Sequence, residues 1–166
     1  MKKSFQRTHR REDGHVYKHD LGQHFLYDEN LLCSLVSSTG ITPADSVLEI
    51  GPGSGLLTLC LCAAAKNVIA VEADETLLPF LRVKLENYQN ITLVPGDIRR
   101  QNLSTLCRPL GNHFYVIANI PYNITTPIFE LLWTSHLPIH QISVMVQREV
   151  AEKLLATPSH PQKWGL

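Results

Sequence analysis

Short apolar runs alternate with longer stretches of helical periodicity along most of the chain. The runs at 46–50 (SVLEI), 68–72 (VIAVE), 91–97 (ITLVPGD), 114–119 (FYVIAN) and 141–147 (QISVMVQ) are short, apolar and mostly β-branched. Each is closed by a polar or turn residue, as expected of strands buried on both faces. Between them, LLCSLVSSTGI repeats apolar residues at helical spacing and stops at Gly40, a residue suited to a helix end. SGLLTLCLCAAAKN predicts a helix that is apolar all round, and DETLLPFLRVKLENY one with Pro79 in its first turns. The last helix is expected to start at Pro127, as an N1 proline, and to run through Trp133. Strands regularly separated by helices predict an α/β fold, with a mostly parallel sheet and helices on both faces. Ligands of such sheets bind beyond the carboxyl ends of the strands, where the strand order reverses. Glu49 with Gly51, Glu72, Asp97 and Asn119 all fall at those ends.

EIGPGSG places Gly51, Gly53 and Gly55 between the first strand and its helix, where missing side chains allow a tight turn and close approach to a ligand. No Gly-Lys-Ser/Thr follows, so it is not a phosphate-cradling P-loop. Glu72 closes the second strand about twenty residues on, the place of a carboxylate that accepts from ribose hydroxyls. Asp97, after the third strand, has two readings: an acceptor for the exocyclic amine of an adenine, or an N-cap for the segment behind it. The loop carries no Lys or Arg, which permits a nucleoside ligand without phosphates. S-adenosylmethionine, an adenosine bearing a sulfonium, is such a ligand.

In NIPY, Asn119 offers a side-chain carbonyl and Ile120 a backbone carbonyl. The amine of adenine is a poor nucleophile, because its lone pair is delocalised into the ring. Two acceptors gripping its hydrogens would favour a pyramidal nitrogen aimed at a methyl donor. Pro121 fixes the local backbone, and Tyr122 offers a flat face for stacking the base, worth about 1 to 3 kcal/mol. The competing reading is a strand-terminating turn with a core tyrosine.

Size and charge narrow the picture further. The 166 residues with 44% hydrophobic content suit one core, and the expected division is a basic flexible arm over 1–18 followed by a cofactor-binding catalytic domain over 19–166. Fifteen basic residues balance fifteen acidic ones, so any nucleic-acid contact must be local. Lys2, Lys3, Arg7, Arg10, Arg11 and Lys18 cluster in the arm, either as a solvated tail or as a phosphate-tracking element. Cys33, Cys60, Cys62 and Cys107 form no CxxC pair and are expected to be reduced core residues. The eight histidines are scattered, and no metal site is expected. No secretory signal or membrane-spanning run is apparent, which predicts a cytoplasmic protein without membrane contact.

DLGQHFL (20–26), EIGPGSG, VEAD, GDI, NIPYNITTP and MVQREVAEKL (145–154) together resemble the bacterial 16S rRNA adenine N6-dimethyltransferases, the kasugamycin-resistance family. The resemblance implies the Rossmann-like fold of class I S-adenosylmethionine-dependent methyltransferases. It also implies transfer of methyl groups from S-adenosylmethionine to two adjacent adenines near the 3′ end of 16S rRNA, in the immature small ribosomal subunit, by an enzyme acting as a monomer. By the same resemblance His24, Leu26, Gly51, Glu72, Asp97 and Asn119 would contact the cofactor. Asn119, Ile120, Pro121 and Tyr122 would form the catalytic motif, and Gln23 and Phe25 would help form a lid. Many relatives have Asn where this chain has His24, whose imidazole can also hydrogen-bond. Family members continue with two further strands and a small helical domain, so the chain is expected to be C-terminally truncated and to lack both. The erythromycin-resistance 23S rRNA dimethyltransferases share the Asn-Ile-Pro-Tyr core, although GPG, TTP and QREV look more like the 16S group. A non-catalytic RNA-binding fragment of the same fold is the second alternative. An NAD-dependent oxidoreductase is the third, and it leaves Asn119 to Tyr122 without a task.

Overall fold

The computed structural model describes residues 29–120 and 122–145, with 122 and 123 described in their backbone alone. The expected alternation is present. Helix α1 (Glu29–Ser38) is followed by β1 (Ser46–Ile50), α2 (Leu56–Ala64), β2 (Asn67–Glu72), α3 (Leu78–Lys84) and β3 (Ile91–Pro95). Then come α4 (Leu103–Cys107), β4 (Phe114–Asn119), α5 (Tyr122–Thr134) and β5 (Ile139–Met145). Short 3-10 turns precede α3 and flank α4. The five strands form one sheet in the order β3-β2-β1-β4-β5, and every neighbouring pair is parallel. The chain builds outward from β1 through β2 to β3, then returns to lay β4 on the other side of β1. The order therefore reverses between β1 and β4, which places the expected ligand crevice at their carboxyl ends.

Alternate residues of the central strands feed two apolar layers. Leu48, Ile50, Val71, Phe114 and Val116 pack with Ile128 and Leu132 of α5 and with Leu103 and Cys107 of α4. Val47, Val68 and Ile117 point the other way, onto Leu32 and Val36 of α1 and Leu57 and Leu61 of α2. Each fully buried Leu or Ile side chain contributes about 1.5 to 3 kcal/mol, so the three central strands anchor both layers. Leu77, Leu81 and Leu85 form a smaller cluster that docks the α3 region beside Leu59 of α2 and Leu93 of β3.

Four expectations need correction. Cys33 and Cys60 are joined in a disulfide, with Cα atoms 5.4 Å apart, whereas Cys62 and Cys107 are free and buried. The pair is 27 residues apart in sequence and is brought together only when α1 lies against α2, so no local spacing announces it. Helix α5 begins at Tyr122 and encloses Pro127. Proline lacks only its own N–H, so one backbone bond is forgone while the apolar face of the helix, with Ile128 and Leu132, stays on the sheet. Pro79 does sit at the start of α3, but the segment ahead of it is a 3-10 turn over Glu75–Leu77, capped by the Asp74 carboxylate accepting from Thr76 N–H. Strand β5 begins at Ile139 rather than 141, with a register shift against β4 between Phe114 and Tyr115.

At the opposite, amino-terminal end of the sheet, the His113 and His140 rings stack 4.2 Å apart. His113 lies 4.0 Å from Asp45. Among the described residues no group of three or more His, Cys, Asp or Glu could hold a metal ion, and no helix is long and apolar enough to cross a membrane.

Candidate active site

The glycine loop leaves β1 at Gly51, whose φ of 72° belongs to the left-handed region. Gly51 N–H donates to the Val71 carbonyl at 2.9 Å, tying the loop to β2. Among the described residues a Cβ on Gly51 would meet only Ile120 Cγ2, at 4.0 Å, so this residue faces the end of β4. Gly55 has a different task. Its φ is 73°, and a Cβ there would lie 2.8 Å from Leu81 Cδ2 and 3.3 Å from Lys84 Cδ. The last glycine lets α3 close onto the loop, and the first turns the chain from β1 toward the end of β4.

Glu72 ends β2 with only 4% of its surface exposed. Its Oε2 accepts from Gly53 N–H at 2.9 Å, and its Oε1 from Asp74 N–H at 2.8 Å. Burial pushes its carboxyl up, while the Asp74 and Gly53 backbone donors pull it back. A carboxylate has about four lone-pair positions, so each oxygen retains capacity for a further donor such as a ribose hydroxyl. The Glu72 carbonyl also accepts from Gly96 N–H at 2.7 Å, linking the second strand tip to the third.

Asp97 stands just beyond β3, and its N-cap reading is realised: Oδ1 accepts from Arg99 N–H at 2.9 Å, starting the turn Ile98–Arg100. The Arg99 side chain occupies the same carboxylate, with Nε 3.0 Å from both oxygens and Nη2 2.6 Å from Oδ2. These side-chain hydrogen bonds hold Asp97 below the usual carboxylate range.

Asn119 is the half-buried last residue of β4. Its side-chain amide has no hydrogen-bond partner among the described residues. Ile120 is 6% exposed and turns its side chain toward Gly51. Tyr122 opens α5. His24, Leu26, Gln23, Phe25 and Pro121, and the Tyr122 side chain, lie outside the described residues.

Two features escaped the sequence pattern. Lys84 of α3 donates from Nζ to the Ser54 carbonyl at 2.7 Å, clamping the glycine loop from 30 residues away. Only tertiary packing makes that contact, and sequence spacing gave no sign of it. Glu49, expected at the strand-end site, is instead fully buried, pointing by register into the α1 and α2 side of the sheet with Val47. Burial pushes its carboxyl up to about 8; the Thr58 hydroxyl tempers the rise and Glu72 adds to it. Neither Glu49 oxygen nor Thr58 Oγ1 has a partner of hydrogen-bonding geometry.

A family profile described as "Ribosomal RNA adenine dimethylase" matches residues 14–165. The chain belongs to this family. Among similar proteins, Ribosomal RNA small subunit methyltransferase A of Lachnoclostridium phytofermentans is 41% identical over 146 residues, covering 86% of this chain and 50% of the relative. The protein of that name from Bacillus licheniformis is 40% identical, over 92% of this chain and 53% of its own length. The chain thus spans about half the length of the curated relatives it matches. Among solved structures, the 23S rRNA methyltransferase ErmE superposes with a TM-score of 0.69 at 32% identity, covering 78% of this chain and 50% of that one. A dimethyladenosine transferase from Plasmodium falciparum gives 0.68 at 31% identity, covering 81% and 47%. These likenesses bear out the Rossmann-like methyltransferase fold of the rRNA adenine dimethylase family.

Proposed function

We propose that this chain carries the S-adenosylmethionine-binding and catalytic part of a 16S rRNA adenine N6,N6-dimethyltransferase. It would act in the cytoplasm, as a monomer and without a metal, on two adjacent adenines of the immature small ribosomal subunit. The observation that carries the proposal is the meeting of three features at the β1–β4 reversal. Gly51 turns in the left-handed region beside Ile120, Glu72 presents a buried, backbone-held carboxylate beside the same loop, and the Asn119 amide has no hydrogen-bond partner among the described residues. The donor set fits the cofactor: an acceptor for ribose hydroxyls, a glycine turn without Cβ atoms, and a loop whose nearby cation, Lys84, is already engaged by a carbonyl.

When bound, the cofactor supplies an electrophilic methyl group on a sulfonium. The chain contributes orientation. The Asn119 side-chain carbonyl and the Ile120 backbone carbonyl accept from the two hydrogens of the target amine and turn its lone pair toward the methyl. Tyr122 stacks the everted base, and Pro121 fixes the backbone between grip and platform. No general base is required before attack, since the proton leaves once the nitrogen has become cationic. His24 and Leu26 complete the cofactor contacts, under a lid that includes Gln23 and Phe25. Arm residues 1–18 precede this domain.

Likeness of fold does not separate the 16S target from the 23S one, because a structure named for 23S rRNA, ErmE, superposes with a TM-score of 0.69. The small-subunit names of the curated relatives at about 40% identity favour the 16S reading. The test is calorimetric titration with S-adenosylmethionine, followed by methyl transfer to small subunits lacking the modification and mapping of the methylated nucleotides. The expected result is binding, with incorporation that falls about 100-fold in Asn119→Ala, as loss of aim demands. Absence of cofactor binding by the wild-type chain would overturn the proposal. RNA binding without turnover, alike in wild type and variant, would assign a non-catalytic module instead.

A further inference from the structure

We propose that Arg99 is an internal competitor for the cofactor's adenine, so that uptake proceeds by exchange of its guanidinium for the exocyclic amine on Asp97. The inference rests on the reading of Asp97 as the adenine acceptor. An ionised carboxylate offers about four lone-pair positions, and three N–H groups of Arg99 reach Asp97: its backbone N–H on Oδ1, its Nε–H shared between Oδ1 and Oδ2, and Nη2 on Oδ2. Both oxygens are thus engaged by one residue two positions away, with the guanidinium lying across the fork between them. An amine can take that fork only if the side-chain contacts open. The backbone bond from Arg99 N–H belongs to the N-cap and can stay, because it leaves Oδ2 untouched.

The geometry makes the exchange feasible. The Arg99 side chain is 44% exposed and that of Asp97 23%, so the guanidinium has water beside it to swing into, and its hydration offsets the lost pair. Glu72 provides the contrast, since its hydrogen-bond partners are backbone N–H groups fixed in the loop, and one such bond to each oxygen leaves each with capacity for another donor. One site thus holds a fixed ribose acceptor and a self-blocked base acceptor. The consequence is a cofactor affinity set lower than the pocket alone would give, and one that depends on salt, because an exposed ion pair is screened.

The experiment is a double-mutant cycle read by calorimetry with S-adenosylhomocysteine on wild type, Arg99→Ala, Asp97→Ala and the double variant. Arg99→Ala is expected to tighten binding by about twofold to fivefold, the range that a half-exposed ion pair can withhold. The gain should shrink at high salt. In the Asp97→Ala background, removal of Arg99 should change nothing. The homocysteine conjugate of purine riboside, which lacks the amine, should bind wild type and Arg99→Ala alike. Weaker or unchanged binding of S-adenosylhomocysteine by Arg99→Ala would overturn the proposal, and weaker binding would assign the guanidinium to the ligand rather than against it. Failure of all four proteins to bind either ligand would instead strike the cofactor assignment itself. Circular dichroism of each variant separates loss of fold from loss of binding.

Discussion

Glu49 and Glu72 stand on the same face of neighbouring strands, since Glu49 is in register with Ala70 and Glu72 follows two residues later, yet their surroundings assign them opposite states. Glu72 is held by two backbone donors and serves as an acceptor. Glu49 has none, and burial lifts its carboxyl to about 8, so it is largely neutral at pH 7. The sign of the linkage follows. A carboxyl raised from 4.5 to about 8 on folding binds its proton in the native state when the unfolded chain has released it. Stability is therefore greatest below about 4.5, declines as pH rises between these values, and levels off above about 8. The total is of the order of a few kcal/mol. Glu49→Gln mimics the protonated acid without titrating. Urea unfolding at pH 5, 6.5 and 8 should show wild type losing stability along the series and the variant losing less, with the variant the more stable at pH 8. Parallel pH profiles would mean that Glu49 is ionised in the native state.

At the scale of elements, the two glycines at the ends of the loop separate stability from binding. Gly55→Ala adds a left-handed alanine, costing about 1 to 2 kcal/mol, and sets its Cβ 2.8 Å from a Leu81 that is itself fully buried. Overpacking of that kind costs about 1 to 3 kcal/mol more, so a loss of about 2 to 5 kcal/mol is expected by denaturant unfolding. Gly51→Ala carries the same backbone penalty but meets only an ordinary contact with Ile120. That variant should fold with a smaller loss while binding S-adenosylmethionine about tenfold or more weakly, a change of about 1.4 kcal/mol or more; equal damage to stability in both would refute the division. The disulfide between α1 and α2 is a second element-level device. Closing a loop between residues 27 apart stabilises by about 3 kcal/mol on the chain-entropy account. Cys33→Ser should lose stability of that size and become indifferent to reductant, whereas wild type should lose it only on reduction. Sequence pattern announced the strands well, because β1, β2 and β4 are buried on both faces and leave uninterrupted apolar runs. The Cys33–Cys60 bond, the Lys84 clamp and the Arg99 pairing were not legible there. The first two depend on how helices meet and the third on a rotamer, and neither leaves a period in the chain. The start of α5 was misjudged because a proline at 127 was read as a beginning, when tertiary packing of Ile128 and Leu132 outweighs its missing bond.

The site is a property of the whole sheet, since no single unit of the chain contains it. Gly51 follows β1, Glu72 ends β2 and the Gly96 N–H behind β3 is tied to Glu72, while Asn119 and Ile120 come from β4 on the other side of the reversal. The motifs were legible in order along the sequence, but their convergence needed the β3-β2-β1-β4 arrangement, which the alternation of elements constrains without specifying. A ligand that bridges these tips recognises only the state in which both halves of the sheet are assembled. It should therefore stabilise the folded chain against global unfolding, by RT ln(1 + [L]/Kd), about 2.7 kcal/mol at a hundredfold excess over Kd. The surface exposed on unfolding is unchanged by a ligand that leaves the fold as it is, so the shift should appear in the denaturant midpoint and not in the slope. Guanidinium titrations with and without S-adenosylhomocysteine check this. Glu72→Ala should abolish the ligand-dependent shift, because it removes the proposed ribose acceptor and leaves the Gly53 and Asp74 N–H groups without the carboxylate that holds them. A ligand effect seen as a second, separate transition, or one that survives in Glu72→Ala, would mean that the cofactor is held by one half of the sheet alone and that β4 joins the site only when RNA arrives.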